Sequence, residues 1–552
     1  MLSGHVPLPQ DFAELYRKKG YWENIGVTEM VKRTVERHSN KVALVAGINR
    51  ITYQFLYQAI ERLACRLTEA GLRPLDRVIL QLPNTPELIY AYLALTRIGA
   101  IPVMALRAHR ETEIRHFINA SGAVAYVIPD QVNHFDYRVM ADTLREECSS
   151  LRYIFVAGTP RDGQASLSEM INEERTAPQI AAALGSIRVD PTDVATMLLS
   201  GGTTSISKLI PRTHNDYVLN ARLCGEAASL DEQTVFMAIL PLGHNYNLAC
   251  PGFLGTFYYG GTVVLAPSGD ANEVFSLIER EKVTVIAAAV PLITTWLNSN
   301  TYERYDLSSL RIIQNGGARL APELRKRILQ QLGCFPQEIY GTAEGLINMT
   351  RLGDAERAVI ESSGSPVCED DEIKVVDEFG DEVPDGEAGE LATRGPYTIR
   401  GYFNAPEINS AAFTKDGFYL MGDIVRKEGR FVFAEGRKKD FINRGGEKIS
   451  CEEVENLILQ HPKVFQVSLV AMPDDTFGEK ACAFVRPRAD ETLGFEEIIH
   501  FLRSKKIASF KLPERLEIIE AFPVSPVGKI LKRQLREIIA ARITTEKIAA
   551  KN

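Results

Sequence analysis

The chain has 552 residues, of which 45% are apolar and 24% charged, and its net charge is −8. At about 150 residues per domain, this length predicts two to four domains. The composition is typical of a folded globular protein and excludes a disordered, collagen-like or mucin-like chain. Because proteins that bind nucleic acid over their whole surface are usually basic, the negative charge predicts no nucleic-acid partner.

The eight cysteines include no Cys-x-x-Cys pair, and the nine histidines include no His-x-x-x-His pair. This spacing argues against a disulfide framework and against a structural zinc site. Residues 1–12 lack the basic segment and apolar core of a signal peptide. Apolar runs such as residues 285–290 are far shorter than the ~18 residues of a membrane span. We therefore expect a cytoplasmic protein with reduced thiols and no membrane contact.

From residue 27 to residue 340, segments with helical spacing alternate with short apolar runs. Thr28 precedes an amphipathic segment and is predicted to cap its helix. Residues 87–100 and 216–230 also carry helical spacing. Alternation of this kind indicates an α/β protein with mostly parallel sheets. The apolar runs predicted as buried strands are 78–83, 125–129, 153–158, 194–200, 262–267 and 284–289.

The pattern changes near residue 360, and residues 372–395 predict two strands joined by an acidic, turn-rich loop. Residues 437–552 carry 21 Lys and Arg against 17 Asp and Glu, a net charge of +4, while the rest of the chain has −12. We predict a large N-terminal domain over residues 1–436, with a β-rich subdomain over about 360–436. A small, mobile α+β domain is predicted over residues 437–552. The opposite charges favour an anionic ligand between the two domains; the alternative is that they are merely solvated surface charges.

The segment from Leu199 to Lys208 (LSGGTTSISK) follows an apolar strand and combines two glycines, five hydroxyl side chains and one lysine. Glycines let backbone N–H groups approach an oxyanion, and the other side chains add donors and charge, so this segment is predicted to bind phosphate. It is not a Walker loop, because no second glycine precedes the lysine. It also contains Ser-x-x-Lys, but the Ser-Asp-Asn and Lys-Thr-Gly motifs of serine β-lactamases are absent from the sequence. The candidate phosphate-binding residues are Ser200, Gly201, Gly202, Thr203, Thr204 and Lys208.

This segment resembles the phosphate loop of the adenylate-forming superfamily, which includes acyl- and aryl-CoA synthetases, luciferases and peptide-synthetase adenylation domains. Four further segments resemble motifs of that superfamily and occur in its order. Five motifs in the right order over about 330 residues carry the resemblance, although each alone is weak. The four segments are YGTAE (340–344), YLMGD (419–423), GRKKD (436–440) and PVGK (526–529).

The resemblance implies roles that also make physical sense. Tyr340 offers a flat face to adenine, and Asp423 can accept both ribose hydroxyls. Glu344 can hold the Mg²⁺ that bridges phosphates, and Lys529 can place a cation at the α-phosphate and the leaving pyrophosphate. The alternative is that the tyrosine is a core residue and the charged residues are merely solvated. The other ATP-binding candidates are Gly316, Gly317 and Ala318 beside adenine, Gly341, Thr342, and Arg437, which can reach ribose or phosphate.

Residues 244–252 (HNYNLACPG) are similar to a segment of stand-alone aryl-acid ligases that supply siderophore assembly lines. The Asn245 amide can hydrogen-bond an ortho-hydroxyl on a benzoate; the alternative is a helix-capping Asn next to a surface His. Cys250 replaces a Ser often found in ligases for 2,3-dihydroxybenzoate, and a thiol is the weaker hydrogen-bond partner, which favours salicylate. In a second departure, Met421 replaces the usual Thr. The acid-binding candidates are His244, Asn245, Cys250, Gly316 and Ile347, with Leu346 as a further apolar wall.

We therefore predict an ATP-dependent aryl-acid–AMP ligase that uses Mg²⁺ without a permanently bound metal. Its products would be an aryl-adenylate of salicylate or 2,3-dihydroxybenzoate and pyrophosphate. The aryl group would then pass to the phosphopantetheine thiol of an aryl carrier protein in siderophore biosynthesis, with the C-terminal domain rotating about Lys439. The nearest alternative is an aryl- or acyl-CoA synthetase with free coenzyme A. Two other classes are a P-loop-like ATPase or kinase, which would release ADP, and a non-catalytic nucleotide or aryl-acid sensor.

Overall fold

The computed structural model describes residues 1–200, 207–525 and 528–549. Within these ranges, no helix combines the length and the apolar character that crossing a bilayer requires. The α-helices are α1 (Gln10–Lys18), α2 (Val27–His38), α3 (Tyr53–Glu69), α4 (Pro86–Arg97), α5 (Glu111–Ser121), α6 (Tyr137–Glu147), α7 (Leu167–Asn172), α8 (Ala177–Leu184), α9 (His214–Ala227), α10 (Asn245–Ala249), α11 (Gly252–Tyr258), α12 (Ala271–Glu281), α13 (Val290–Ser299), α14 (Pro322–Arg327), α15 (Glu356–Glu361), α16 (Pro406–Ala412), α17 (Cys451–Ile458), α18 (Phe495–Ser504) and α19 (Lys532–Ala549).

In the part of the chain that the structure describes, the strands belong to four larger sheets and one small hairpin. They are β1 (Val42–Ala46), β2 (Asn49–Thr52), β3 (Arg77–Leu80), β4 (Ile101–Met104), β5 (Ala125–Pro129), β6 (Gln131–Val132), β7 (Phe135–Asp136), β8 (Tyr153–Ala157), β9 (Ala165–Ser166), β10 (Val194–Leu199), β11 (Leu209–Thr213), β12 (Val235–Ala238), β13 (Thr262–Leu265), β14 (Val285–Ala288), β15 (Ile312–Gly316), β16 (Phe335–Thr342), β17 (Gly345–Met349), β18 (Ser365–Pro366), β19 (Glu372–Val376), β20 (Ala388–Arg394), β21 (Tyr419–Glu428), β22 (Phe431–Arg437), β23 (Ile442–Arg444), β24 (Glu447–Ile449), β25 (Val464–Asp474), β26 (Gly478–Pro487) and β27 (Arg515–Ile518).

Two large sheets form the N-terminal body. In the described residues, one has the order β18-β17-β16-β15-β14-β12-β13-β1-β2 and the other β11-β10-β4-β3-β5-β8-β9. Their central pairs are parallel, and antiparallel pairs lie toward the ends. Strands β4, β5 and β14 are buried along their whole length because helices cover both faces of the sheets. The predicted α/β class with mostly parallel sheets is therefore confirmed.

Helix α9 is enclosed between the two large sheets. Thr213 caps its start in a reciprocal pair with Asp216, and nearly all of its side chains are buried. The helical spacing predicted over 216–230 corresponds to this element, shifted by two or three residues. All of its residues except Arg222 and Glu226 are buried, which makes α9 a rigid support for whatever its side chains contact.

The predicted capping role of Thr28 is wrong. Helix α2 starts at Val27 after Gly26, so Thr28 lies inside its first turn. The Thr28 hydroxyl donates instead to the carbonyl of Leu93, at 2.8 Å, in the neighbouring helix α4. The hydroxyl therefore bonds a residue 65 positions away in the sequence and not the start of its own helix.

The β-rich part is an antiparallel sheet of order β19-β20-β21-β22 in the described residues. Its first two strands pair from Glu372 with Arg394 to Val376 with Glu390, which confirms the predicted hairpin over 372–395. Strand β21 then brings the segment containing Asp423 to one edge of the N-terminal body.

The C-terminal domain has a sheet of order β24-β23-β26-β25, with β27 parallel to β26. It has its own buried cores, one centred on Val454, Leu469 and Val485 and another that packs α19 on the opposite face. A separate core is what a domain able to move as a unit requires. The proposed boundary between residues 436 and 437 stays a prediction.

Candidate functional site

The predicted phosphate loop joins the antiparallel strands β10 and β11. At its base the backbone N–H of Ser200 donates to the carbonyl of Lys208 at 3.0 Å, and the N–H of Lys208 donates to the Ser200 hydroxyl oxygen at 2.9 Å. The Lys208 ammonium lies 4.2 Å from the centre of the Tyr402 ring. The described residues at its base are thus the ends of two paired strands, whereas a Walker loop leads from a strand into a helix. The candidates Gly201, Gly202, Thr203 and Thr204 lie outside the described residues.

Glu344 lies in the turn between β16 and β17 and is only 7% exposed. The hydroxyl of Tyr402 donates to its Oε1 at 2.8 Å, and the N–H of Ile399 donates to its carbonyl at 2.8 Å. These two contacts hold the carboxylate in one place. Because Lys208 lies over the same Tyr402 ring, the base of the phosphate loop and Glu344 meet at this tyrosine. Tyr402 was not predicted from the sequence, because it is 58 residues from Glu344 and stands in no recognised motif.

Tyr340 and Asp423 are joined by a hydrogen bond in which the phenol donates to Oδ2 at 2.9 Å. Arg437 Nε lies 3.5 Å from Asp423 Oδ1 because β21 and β22 pair these two residues directly. Burial raises the pKa of the Asp423 carboxyl, while Arg437 and the Tyr340 hydrogen bond oppose that rise. The candidates for adenine and ribose recognition thus form one connected group.

Two glycines provide the space between these groups. A Cβ at Gly317, where φ is +86°, would lie 3.1 Å from Lys529 Cε, and one at Gly341 would lie 2.3 Å from the carbonyl of Leu346. A side chain at position 341 would collide with this backbone, and one at position 317 would crowd Lys529 and strain a backbone with positive φ. The adjacent carbonyl of Ala318 accepts from Asn315 at 2.7 Å, and Thr342 has a buried hydroxyl without a partner in the described residues.

Lys529 reaches this group from the C-terminal domain. Its loop is closed by Ser525, whose hydroxyl oxygen accepts from the Lys529 N–H at 3.1 Å and whose N–H donates to the Lys529 carbonyl at 2.7 Å. Burial lowers the pKa of the Lys529 ammonium to about 8; Arg437 adds to the effect, and Asp423 and Glu344 oppose it. Lys529, the predicted metal ligand Glu344 and the predicted ribose ligand Asp423 therefore lie close enough to interact electrostatically.

The predicted hinge residue, Lys439, lies in a 3₁₀ turn over Lys438–Asp440 that connects the last strand of the β-rich sheet to the first strand of the C-terminal sheet. It thus lies on the single stretch of chain between the two sheets. Its role as a hinge stays a prediction.

The predicted acid pocket is built around Asn245. The Tyr217 hydroxyl donates to Asn245 Oδ1 at 2.7 Å, and Asn245 Nδ2 donates to Cys250 Sγ at 3.4 Å. Asn245 does not cap α10, because His244 is the cap and its Nδ1 accepts from the Tyr246 N–H at 3.3 Å. The structure therefore does not support the alternative in which Asn245 caps a helix. Burial and the charge of Lys529 lower the pKa of His244 to about 4, so its imidazole is neutral at pH 7.

A second thiol, Cys224, lies beside Cys250. Asn220 Nδ2 is 3.7 Å from Cys224 Sγ and 3.6 Å from Cys250 Sγ, and it donates to the carbonyl of Ala249 at 2.7 Å. The hydrogen bond from Cys224 lowers the pKa of Cys250, whereas burial raises that of Cys224. Asn220 and Cys224 were missed in the sequence because nothing local marks them.

The apolar wall is only partly as predicted. Ile347 packs in the same core cluster as Tyr246 and Cys250. Leu346 packs in a different cluster with Val375, toward the β-rich sheet, because successive residues of a strand face opposite sides. The prediction that Leu346 lines the pocket is therefore wrong. The Tyr246 ring lies against Gly316, where a Cβ would come within 3.0 Å of it.

A buried arginine connects the acid pocket to the turn of Glu344. Arg212 donates from Nε to Asp216 Oδ1 at 2.8 Å, from Nη1 to the carbonyl of Ala343 at 2.9 Å, and from Nη2 to Asn220 Oδ1 at 3.3 Å. It is fully buried. A fully buried cation that is satisfied on three sides fixes its partners relative to one another.

Comparison with known families agrees with this geometry. A family model described as AMP-binding enzyme matches residues 31–403, and one described as AMP-binding enzyme C-terminal domain matches residues 453–529. The chain belongs to the AMP-binding enzyme family. It is an adenylate-forming ligase, and the resemblance read from its motifs is confirmed.

Three relatives cover nearly the whole chain. The 2,3-dihydroxybenzoate-AMP ligase of Bacillus subtilis (strain 168) is 43% identical over 98% of this chain and 99% of its own length. A protein of Streptomyces sp, named salicylyl-CoA synthase / salicylate adenylyltransferase, is 42% identical over 98% of both. Among solved structures, the apo structure of MbtA from Mycobacterium smegmatis is 36% identical, covers 97% of this chain and 99% of its own, and superposes with a TM-score of 0.75.

Proposed function

We propose that the enzyme activates a hydroxylated aromatic acid, salicylate or 2,3-dihydroxybenzoate, as its adenylate. The observation that carries this proposal is the buried amide of Asn245, whose oxygen is occupied by Tyr217. Its Nδ2 is thereby directed toward Cys250 and can donate to an ortho-hydroxyl oxygen. The names of the two curated relatives support the same class of acid.

The residues around Asp423 suit ATP. The Tyr340–Asp423 pair offers an aromatic face beside a carboxylate that can accept ribose hydroxyls. The unpartnered hydroxyl of Thr342 and the glycine at 317 leave a donor and free space on the path toward Lys529. Lys208 and Ser200 at the base of the loop supply charge and a hydroxyl for phosphates.

Glu344 suits Mg²⁺, because a carboxylate fixed by Tyr402 is the oxygen ligand that this ion prefers. When bound, Mg²⁺ would neutralise charge on the transferred phosphates. The other residues named above would orient the nucleotide. Glu344 is the one protein ligand to Mg²⁺ in this proposal, since phosphates and waters usually supply the rest.

The chemistry of the first step needs no catalytic base, because the aryl carboxylate is ionised at pH 7 and is itself the nucleophile. It attacks the α-phosphorus, and the bond to the pyrophosphate oxygen breaks. Lys529, whose half-buried ammonium interacts electrostatically with Asp423, Glu344 and Arg437, would stabilise the charge that develops at the α-phosphate and the leaving group. Positioning and electrostatics carry the step.

In the second step a thiol would attack the mixed anhydride and release AMP. We propose the phosphopantetheine of an aryl carrier protein in siderophore biosynthesis as this thiol. The C-terminal domain, proposed to begin at residue 437, would rotate about Lys439 so that Lys529 leaves the site. Free coenzyme A is the second candidate acceptor, and the printed name of the Streptomyces relative favours it.

The test is exchange of labelled pyrophosphate into ATP with benzoate, salicylate and 2,3-dihydroxybenzoate. Exchange that depends on a hydroxylated acid is expected; release of ADP, or exchange that no aryl acid stimulates, would contradict the proposal. Thioester formation with a carrier protein and with coenzyme A, measured separately on the same preparation, then distinguishes the two acceptors.

A further inference from the structure

A basic cleft of about 420 Å³ lies between the N-terminal body and the C-terminal domain. The body contributes the end of α13 and helix α14. The C-terminal domain contributes residues 459–462, 464 and 465, Arg488 just after β26, and Lys505 at the end of α18. None of these residues takes part in the candidate nucleotide or acid sites described above.

Two guanidinium groups meet in this cleft on one neutral oxygen. Arg327 Nη2 donates to Asn298 Oδ1 at 3.0 Å, and Arg488 Nη1 donates to the same oxygen at 2.7 Å. Arg327 and Asn298 belong to the body, while Arg488 belongs to the C-terminal domain. Across the described part of the chain, neither arginine forms an ion pair with a carboxylate.

The remaining charges do not neutralise the pair. Lys505 adds a third cation, and its ammonium lies 4.9 Å from the centre of the Phe501 ring. Glu323 is the one carboxylate among the described lining residues. Burial lowers the pKa of His461, against the opposing charge of Glu497, and so disfavours a positive charge on its ring. The cleft therefore carries a net positive charge.

Among its described residues, the cleft contains an unused hydrogen-bond donor, the Asn298 amide, which suits a ligand with acceptor oxygens. Asn298 Nδ2 is buried and has no partner in the described residues, although its oxygen is doubly used. Burial, and then the charge of Arg488, lower the pKa of Arg327, which reflects two partly desolvated cations held close together. A ligand that brings negative charge and several lone pairs would satisfy both features at once.

We propose that this cleft binds a small phosphate anion, as inorganic phosphate or diphosphate, between Arg327 and Arg488. Guanidinium groups pair with phosphate oxygens through two parallel hydrogen bonds, and Asn298 Nδ2 supplies a further donor. Because one arginine comes from each domain, the bound anion stabilises the domain orientation described here. The proposal concerns binding alone and does not depend on the proposed function.

The experiment is calorimetric titration of the full-length protein with inorganic phosphate, and separately with diphosphate, at constant ionic strength. Arg327→Gln and Arg488→Gln should each weaken phosphate binding about tenfold or more, the order expected for one lost charged hydrogen bond. The matched control is Arg503→Gln, because Arg503 is an exposed residue two positions before Lys505 and does not line the cleft. Equal affinity in all four proteins would overturn the proposal.

Two further variants test whether phosphate binds in this cleft and not in the nucleotide site. Asn298→Asp places a carboxylate between the two arginines, so it should abolish phosphate binding while the thermal midpoint stays the same or rises; undiminished binding would refute the site. Lys529→Ala alters the candidate nucleotide site and should leave phosphate affinity within about twofold. If Lys529→Ala removed all binding, the phosphate would belong to the nucleotide site and the proposed cleft site would be wrong, whatever the outcome of pyrophosphate exchange.

Discussion

The hydroxyl of Tyr217 donates to Asn245 Oδ1, and this single contact decides which end of the Asn245 amide faces Cys250. An unconstrained amide can turn either its oxygen or its nitrogen toward a ligand. With its oxygen occupied, Asn245 can only donate in that direction. The selectivity proposed for ortho-hydroxylated acids therefore depends on a tyrosine 28 residues earlier in the chain.

Removing that hydroxyl should reduce the discrimination between acids. Tyr217→Phe is expected to lower the ratio of kcat/KM for salicylate to that for benzoate by about 2- to 13-fold, the equivalent of one neutral hydrogen bond of about 0.5–1.5 kcal/mol. Steady-state pyrophosphate exchange with both acids measures it. Tyr259→Phe is the matched control, because it removes a phenol that donates to the carbonyl of Arg222 at 3.0 Å. An unchanged ratio in Tyr217→Phe would show that the tyrosine does not orient Asn245.

Cys250→Ser should shift the preference from salicylate toward 2,3-dihydroxybenzoate. A hydroxyl pairs with the 3-hydroxyl better than a thiol does, and one neutral hydrogen bond limits the shift to about 2- to 13-fold in relative kcat/KM. Cys148→Ser, in a separate buried core, makes the same chemical change as a control. If the two acids keep their ratio in Cys250→Ser, position 250 does not contact the 3-position.

Lys529→Ala should separate the two half-reactions. Loss of a cation at the developing phosphate charge is expected to reduce pyrophosphate exchange by about 10²- to 10³-fold. Conversion of supplied aryl-adenylate to thioester should stay within about threefold of wild type, since that step no longer involves ATP. Lys415→Ala, at an exposed lysine of the body, controls for loss of charge. Equal loss of both steps would contradict the assignment.

Lys439→Pro tests the hinge, and the local backbone indicates which half-reaction the variant should spare. Residue 439 lies in a 3₁₀ turn, whose φ of about −50 to −70° matches the φ of about −65° that proline imposes. The variant should therefore favour the orientation in which Lys529 is at the nucleotide site. Pyrophosphate exchange should be spared and thioester formation slowed, as measured on one preparation. Mild, equal effects on both steps would exclude a hinge at this residue.

Asp371 should make stability depend on pH. Burial raises the pKa of its carboxyl to about 7, opposed by the hydrogen bond from Tyr397. Between pH 4 and pH 7 the folded protein keeps a proton that the unfolded chain has lost, so this contribution to stability falls as pH rises, by at most about 1.4 kcal/mol per unit.

Asp371→Asn should remove that decline. The thermal midpoint of the variant minus that of wild type should therefore increase as pH rises from 5 to 7. Glu369→Gln, at an exposed neighbour, should follow wild type at every pH. A difference between Asp371→Asn and wild type that stays constant over this range would mean that Asp371 titrates normally.

The parts of the site that the sequence predicts are those encoded within a few neighbouring residues. Gly317 and Glu344 stand in short motifs whose backbone requirements can be read directly. The supporting residues cannot be found in this way, because Tyr402 reaches Glu344 from 58 positions away and Arg212 reaches Ala343 from 131. Leu346 shows the opposite error: being adjacent in sequence to a pocket residue, it faces the other side of its strand.

Helix α9 also has a consequence for redesign of the enzyme. Tyr217, Asn220 and Cys224 follow one another at intervals of three and four residues, so they form one stripe along a helix that is almost wholly buried. The floor of the proposed acid pocket is therefore a rigid template and not an adaptable loop. Libraries that exchange these positions together can reshape the cavity for new benzoates. Changes that tilt the helix would also displace Arg212 and the Glu344 turn, so broader acceptance of acids obtained that way would be expected to come with slower adenylation.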